Sequence, residues 1–183
     1  MRQATEGRND HVGGAGVGEP VGLALHETER PHNLGAAIRL CACLGVPLHV
    51  IGPLGFPAGD RRIREAALDY GAHLEPRFHL DAETFCRWCV AHGRRIVLLS
   101  TKATLPYHRA DYRPGDLLLV GNERHGVPAW LEARAGLAVR VPMAPARRAL
   151  NLVVAGAIVL GEALRRTGAL DALAAAAVDE GRA

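Results

Sequence analysis

Two short runs constrain this chain more than any other feature. Ile-Val-Leu-Leu at 96–99 and Leu-Leu-Leu-Val at 117–120 are apolar at every position. A strand with one wet face alternates apolar and polar residues. An unbroken apolar run of this length is a strand covered on both faces, as in the interior of a parallel sheet. Further strand-like segments lie at 21–25, 48–51 and 138–141. Helical patterns fall between and after them. One spans 34–44 with Asn33 as its N-cap, and one spans 61–68 capped by Asp60. Others cover 81–91, ending near Gly93, and 128–134, with Pro128 in its first turn. The last spans 151–166, and 171–177 adds an Ala-rich turn or two. Alternation of this kind predicts a single α/β domain with a mostly parallel sheet.

The 183 residues suit one domain over 20–168, with tails at 1–19 and 169–183. The first tail is polar and Gly-rich, which predicts disorder. Its Gly13-Gly14-Ala15-Gly16-Val17-Gly18 stretch imitates a dinucleotide loop but precedes the first strand instead of following it. The N-terminus has no apolar core segment, and the longest apolar stretch, 152–160, is far short of a membrane span. The expectation is a cytoplasmic protein with no membrane partner. Aromatic residues make up only 4%, which argues against base-stacking platforms for single strands. Lys102 is the sole lysine among 22 basic residues. Arginine grips phosphate with a two-pronged fork, so the composition permits RNA binding. A genome biased toward Arg and Ala codons is the stronger account of the skew.

Cys41, Cys43, Cys86 and Cys89 offer no second C-x-x-C with which Cys86 and Cys89 would make a four-ligand zinc site. That motif also sits inside an amphipathic helical run. Reduced, packed cysteines and no metal are expected.

In open α/β sheets ligands bind beyond the carboxyl ends of strands. That directs attention to the residues after Leu99, Val120 and Val141. Gly121-Asn122-Glu123-Arg124-His125-Gly126 follows a buried strand, and its two glycines allow close backbone approach to a ligand. Val141-Pro142-Met143 leads through Arg147 and Arg148 to Ala149-Leu150-Asn151, where Asn151 is an N-cap or a site residue. A third segment, Asn33-Leu34-Gly35-Ala36-Ala37-Ile38-Arg39, opens a helix whose free N–H groups suit an anion. Arg39 in so apolar a helix needs a partner, either an acid such as Glu27 or Glu29 or an anionic ligand.

Taken together, these three segments resemble the N-x-G-x-x-x-R, G-x-E-x-x-G and I-P-M…L-N motifs of the SPOUT superfamily of RNA methyltransferases. Arg39-Leu40-Cys41-Ala42, Gly52-Pro53-Leu54-Gly55-Phe56 and Leu68-Asp69-Tyr70 resemble the branch that methylates the ribose of the tRNA wobble nucleotide. The resemblance spans roughly 21–166. It implies a C-terminal trefoil knot, a homodimer, tRNA as substrate and S-adenosyl-L-methionine (AdoMet) as cofactor. It further implies that Leu99, Gly121, Val141 and Ala149 contact AdoMet. Asn33, Arg39, Glu123 and Asn151 then form the catalytic or RNA-facing set, with Arg39 gripping the phosphate beside the target ribose and Glu123 orienting Asn33 or Arg39. The chain departs from the pattern at several positions. Ala149 and Val153 replace serines, Ala103 a glycine, Asn122 a proline and His125 an arginine. Other tRNA or rRNA sites, or a non-catalytic RNA- or AdoMet-binding role, are the alternatives.

Overall fold

Every strand ladder among the described residues is parallel. A computed structural model describes residues 19–180, and its sheet has seven strands in the order β3-β2-β1-β6-β4-β7-β5. They are β1 Gly22–His26, β2 Leu48–Ile51, β3 Arg77–His79, β4 Ile96–Leu99, β5 Leu105–Pro106, β6 Leu117–Val120 and β7 Leu137–Arg140. The apolar runs at 96–99 and 117–120 lie in the middle, with β6 paired to β1 and to β4. Successive side chains of these strands point to opposite faces. Leu118 and Val120 join one core with Leu34, Ile38 and Leu160, whereas Leu117 and Leu119 join a second with Phe85, Cys86 and Leu131. The sheet is thus the middle of three layers, which is why its strands carry no polar stripe.

The first core draws on α1 Pro31–Leu44, α2 Arg61–Ala67 and α5 Leu152–Arg166, and the second on α3 Ala82–Ala91 and α4 Ala129–Glu132. Asp60 and Asp81 cap α2 and α3 through backbone N–H groups of Arg62 and Thr84. One boundary differs from expectation. Helix α1 begins at Pro31, so its N-cap is Arg30 and not Asn33. Proline supplies a ready-made helical φ at that first turn, and Asn33 is freed to turn its amide inward. Gly35 sets how α1 meets α2, since a Cβ there would stand 2.4 Å from the Ile63 carbonyl oxygen.

Two strands escaped the sequence pattern. β3 is three residues long, and β5 is two residues with a proline, which only an edge tolerates. The expected C-terminal tail is largely helix: α6, Ala169–Glu180, follows a turn at Gly168 with φ 75°. Ala-rich composition favours a helix more than its weak amphipathicity suggested. The expected N-terminal disorder lies outside the described residues, apart from Glu19, which Arg94 holds by an ion pair. Cys41, Cys86 and Cys89 are buried and all four cysteines are free. Burial pushes the Cys41 and Cys89 thiols up to about 12. Among the described residues no helix is long and apolar enough to cross a membrane.

His49 on β2 and His79 on β3 are both buried, and their Nδ1 and Nε2 atoms are 2.9 Å apart. One ring must donate and the other accept, an arrangement that two neutral imidazoles satisfy. Burial, then the neighbouring His79 and Arg94, lowers His49 to about 3. Burial likewise lowers His79. In the unfolded chain both imidazoles take up protons near pH 6.5. Stability is therefore full above that pH and falls as the pH drops towards the folded values, by about 1.4 kcal/mol per unit for His49. Urea midpoints at pH 7 and pH 5 should differ accordingly. The double variant His49→Gln/His79→Gln should flatten the difference, and an unchanged slope would assign it to other groups.

Candidate active site

The loops beyond the carboxyl ends of β1, β4, β6 and β7 surround a cavity of about 720 Å³. Its walls include Leu99, Gly121, Val141 and Ala149, together with Asn33, Glu123 and Asn151. Seven of the eight candidate residues thus meet in one place although they span 33–151 in the chain.

The polar rim is a continuous hydrogen-bonded chain. Glu123 Oε1 accepts from the Thr28 hydroxyl at 2.6 Å and from Asn33 Nδ2 at 2.7 Å, and Oε2 accepts from the Glu29 backbone N–H at 3.0 Å. Asn33 Oδ1 in turn accepts from Asn151 Nδ2 at 2.9 Å. Asn151 Oδ1 accepts from the N–H groups of Val153 and Val154, capping α5. The N-cap reading of Asn151 holds for its oxygen, while its amide reaches across to Asn33 at the cavity rim. Burial alone would raise the Glu123 carboxyl. The donors from Thr28, Glu29 and Asn33 outweigh burial and hold it below the usual carboxylate range. It is an ionised acceptor whose lone pairs are engaged, which suits it to orient Asn33.

The turn that presents Glu123 explains both glycines. The backbones of Asn122 and Gly126 exchange hydrogen bonds of 2.9 and 3.0 Å. A Cβ on Gly121 would stand 2.6 Å from the Gly126 carbonyl carbon, and Gly126 has φ 72°. Gly121 also lines the cavity, so the same bare backbone is open to a ligand. The Asn122 side chain ties this turn to β1, donating to the Glu27 carbonyl at 2.7 Å and accepting from the Arg124 N–H at 2.8 Å.

Arg39 is the exception. It is exposed on α1 and does not line the cavity. Neither Glu27 nor Glu29 pairs with it. Glu29 pairs with Arg124 at 2.8 Å, and Arg39 lies over the Tyr70 ring at 5.7 Å from its centre. Two of the other arginines considered for RNA contact are engaged, Arg61 with Glu65 and Arg62 with Asp60. Arg64, Arg147 and Arg148 have no ion pair among the described residues.

Sequence reasoning missed the loop after β1. Thr28 and Glu29 hold Glu123, and Arg30 lines the cavity. The rule that directed attention beyond β4, β6 and β7 applies equally to β1, so the signal was present.

Fold and site together define an α/β enzyme domain with a ligand-sized cavity at the carboxyl edge of a parallel sheet. The chain belongs to the SpoU rRNA methylase family, whose model matches residues 20–161. A tRNA (cytidine(34)-2′-O)-methyltransferase of Beijerinckia indica is 48% identical over 148 residues, covering 81% of this chain and 92% of that one. The enzyme of the same name from Escherichia coli K12 is 38% identical, covering 80% and 93%. A solved structure described as giving insight into 2′-OH methylation of C/U34 on tRNA superposes with TM-score 0.76 at 35% identity, covering 81% of this chain and 96% of that one. An AdoMet-bound rRNA methyltransferase of Sinorhizobium meliloti gives 0.75 at 29% identity, covering 81% and 57%.

Replacing Glu123 by Gln tests the rim. An amide nitrogen would face a donor, so one buried group loses its partner at a cost of about 1–3 kcal/mol. The carboxylate's own contribution is full above the ordinary carboxylate pKa and is lost as the pH falls through its lowered value. Thermal melting should show Glu123→Gln destabilised at pH 7 and closer to the parent near pH 3.

Proposed function

We propose that this protein transfers a methyl group from AdoMet to the ribose 2′-hydroxyl of nucleotide 34, the wobble position, of tRNA. The observation that carries the reading is the Glu123–Asn33–Asn151 chain on the rim of a cofactor-sized cavity. The names of the relatives at 38–48% identity support the same substrate. Work on tRNA also suits a cytoplasmic protein. The trefoil knot belongs to the proposal, and the strand order that inserts β7 between β4 and β5 supports it.

The cavity fits AdoMet. Its volume is that of an ordinary small-ligand site. Leu99, Val139, Val141 and Leu152 supply apolar wall, while Gly121 and Ala149 bring backbone close. AdoMet supplies an activated sulfonium methyl when bound. The protein's task is then alignment, which by itself removes much of a barrier. Glu123 fixes the Asn33 amide, and Asn151 fixes its other end, so two side chains are locked before RNA arrives. Arg39 supplies a charge for the phosphate beside the target ribose. Arginine does not lose its proton in proteins, so Arg39 is a grip and not a base.

Its distance from the protein's own cavity favours either RNA running along α1 or service to the cavity of a second copy. A homodimer has a ready surface, since Leu150, Val154 and Ile158 recur every four residues and are 41%, 50% and 37% exposed. Val154→Glu combined with Ile158→Glu should give a monomer by light scattering, and an unaltered mass would remove α5 from the interface.

Nucleoside mass spectrometry of tRNA from a deletion strain should show loss of one 2′-O-methyl nucleoside at position 34. An unchanged profile would overturn the tRNA assignment. Arg39→Ala should abolish methyl transfer with the melting temperature intact, and RNA affinity should fall steeply with salt.

A further inference from the structure

We infer that Tyr70 is a positioning residue for Arg39, holding the guanidinium ready for an RNA phosphate without neutralising it. The inference rests on the methyl-transfer reading above, in which Arg39 grips the phosphate beside the target ribose. Arg39 forms no ion pair among the described residues, and its guanidinium carbon lies over the Tyr70 ring at 5.7 Å from the centre. Acids that could have served it have other partners. Glu27 faces His26 and His125, Glu29 pairs with Arg124, and Glu65 pairs with Arg61. A carboxylate partner would cancel the charge that a phosphate needs. An aromatic face attracts the cation through its quadrupole and leaves both the charge and the N–H edge of the guanidinium available.

The chain reaches this placement at some cost. Helix α2 is seated on α1 at Gly35, where a Cβ would stand 2.6 Å from the Ala66 Cβ. It stops at Leu68, whose φ of 55° and ψ of −137° are backbone that a residue with a Cβ rarely adopts. Leu68 is 54% exposed, so burial of its side chain gives little back. The reversal leads into a short 3₁₀ helix, Leu68–Ala72, that packs back against α1. Tyr70 is its middle residue and is half-buried, and the His73 ring meets the Tyr70 ring at 63° with 6.4 Å between centres. Strained backbone that persists at a surface points to a task that the strain serves. Here the task is to set one ring over one arginine.

Tyr70 does not line the cavity, so it acts through Arg39 and not on the cofactor. Its hydroxyl has no hydrogen-bond partner among the described residues, which makes the ring the working part. A free arginine side chain loses much rotamer freedom when it closes on a phosphate. One already parked on a ring has less to lose, so its grip forms with the guanidinium close to its working position.

A double-mutant cycle on tRNA binding tests the inference, with NMR as a readout that needs no RNA. Tyr70→Phe keeps the ring and should hold affinity and single-turnover rate within about two-fold of the parent. Tyr70→Leu should weaken tRNA binding about two- to five-fold, the worth of an exposed cation–π contact. It should slow single-turnover methylation by more than that, because the grip is less well aligned. In an Arg39→Ala background the same replacement should change affinity by less than about 1.5-fold. The slope of log affinity against log salt should be unchanged in Tyr70→Leu, where the charge remains, and shallower by about 0.7–0.9 in Arg39→Ala. In the RNA-free protein the Arg39 Nε–H resonance should lie upfield through the Tyr70 ring current, stay there in Tyr70→Phe and move downfield in Tyr70→Leu. An equal loss with and without Arg39 would make Tyr70 an RNA contact of its own and overturn the inference. So would unchanged binding and rate in Tyr70→Leu, or an Arg39 resonance that ignores the replacement. Wild-type protein that methylates no tRNA would instead defeat the methyl-transfer reading, with the NMR shift still deciding whether Tyr70 holds Arg39.

Discussion

The Glu123 carboxylate is the knot of hydrogen bonds on which the site depends. Its donors come from Thr28, Glu29 and Asn33, between 90 and 95 positions earlier in the chain. Through Asn33 it reaches Asn151 and the start of α5. A buried charge is tolerable only when donors replace the water it has lost. Here the donors are two side chains and a backbone N–H supplied by the loop after β1 and by α1, so charge solvation and site assembly are one event. A loop left out of place would leave a charge without partners, and the fold resists that.

The sheet makes this economy possible. β1 and β6 are neighbours, and the loops leaving their carboxyl ends face one another. The Asn122–Gly126 turn leans on Glu27 through the Asn122 amide, while Glu123 leans on Thr28 and Glu29. Two turns from distant parts of the chain therefore brace each other at the cavity mouth. Gly121 permits the tight turn, since any side chain there would strike the Gly126 backbone.

Much of this was legible in the sequence because burial on both faces leaves a plain mark. The runs at 96–99 and 117–120 became β4 and β6 with the same boundaries. Caps at Asp60 and Asp81 were readable because a short acidic side chain at a helix start has one main use. β3 and β5 were not readable, since edge strands of two or three residues carry too few positions for a pattern. Asn33 reads as a cap because Asn caps helices so often, whereas Pro31 starts the helix. Arg39 shows the other limit. Its spacing from Asn33 is visible in one dimension, but the sequence does not tell which surface of α1 faces the cavity.

The Asn151 amide has a consequence for biosynthesis. It bridges to Asn33 from the first turn of α5, close to the end of the domain. A nascent chain emerging from the ribosome can pair β1 with β2 early, but the rim stays open until residues beyond 151 have left the exit tunnel. Prematurely terminated fragments would therefore lack a finished pocket, and commitment of the enzyme to its cofactor is deferred until α5 has emerged.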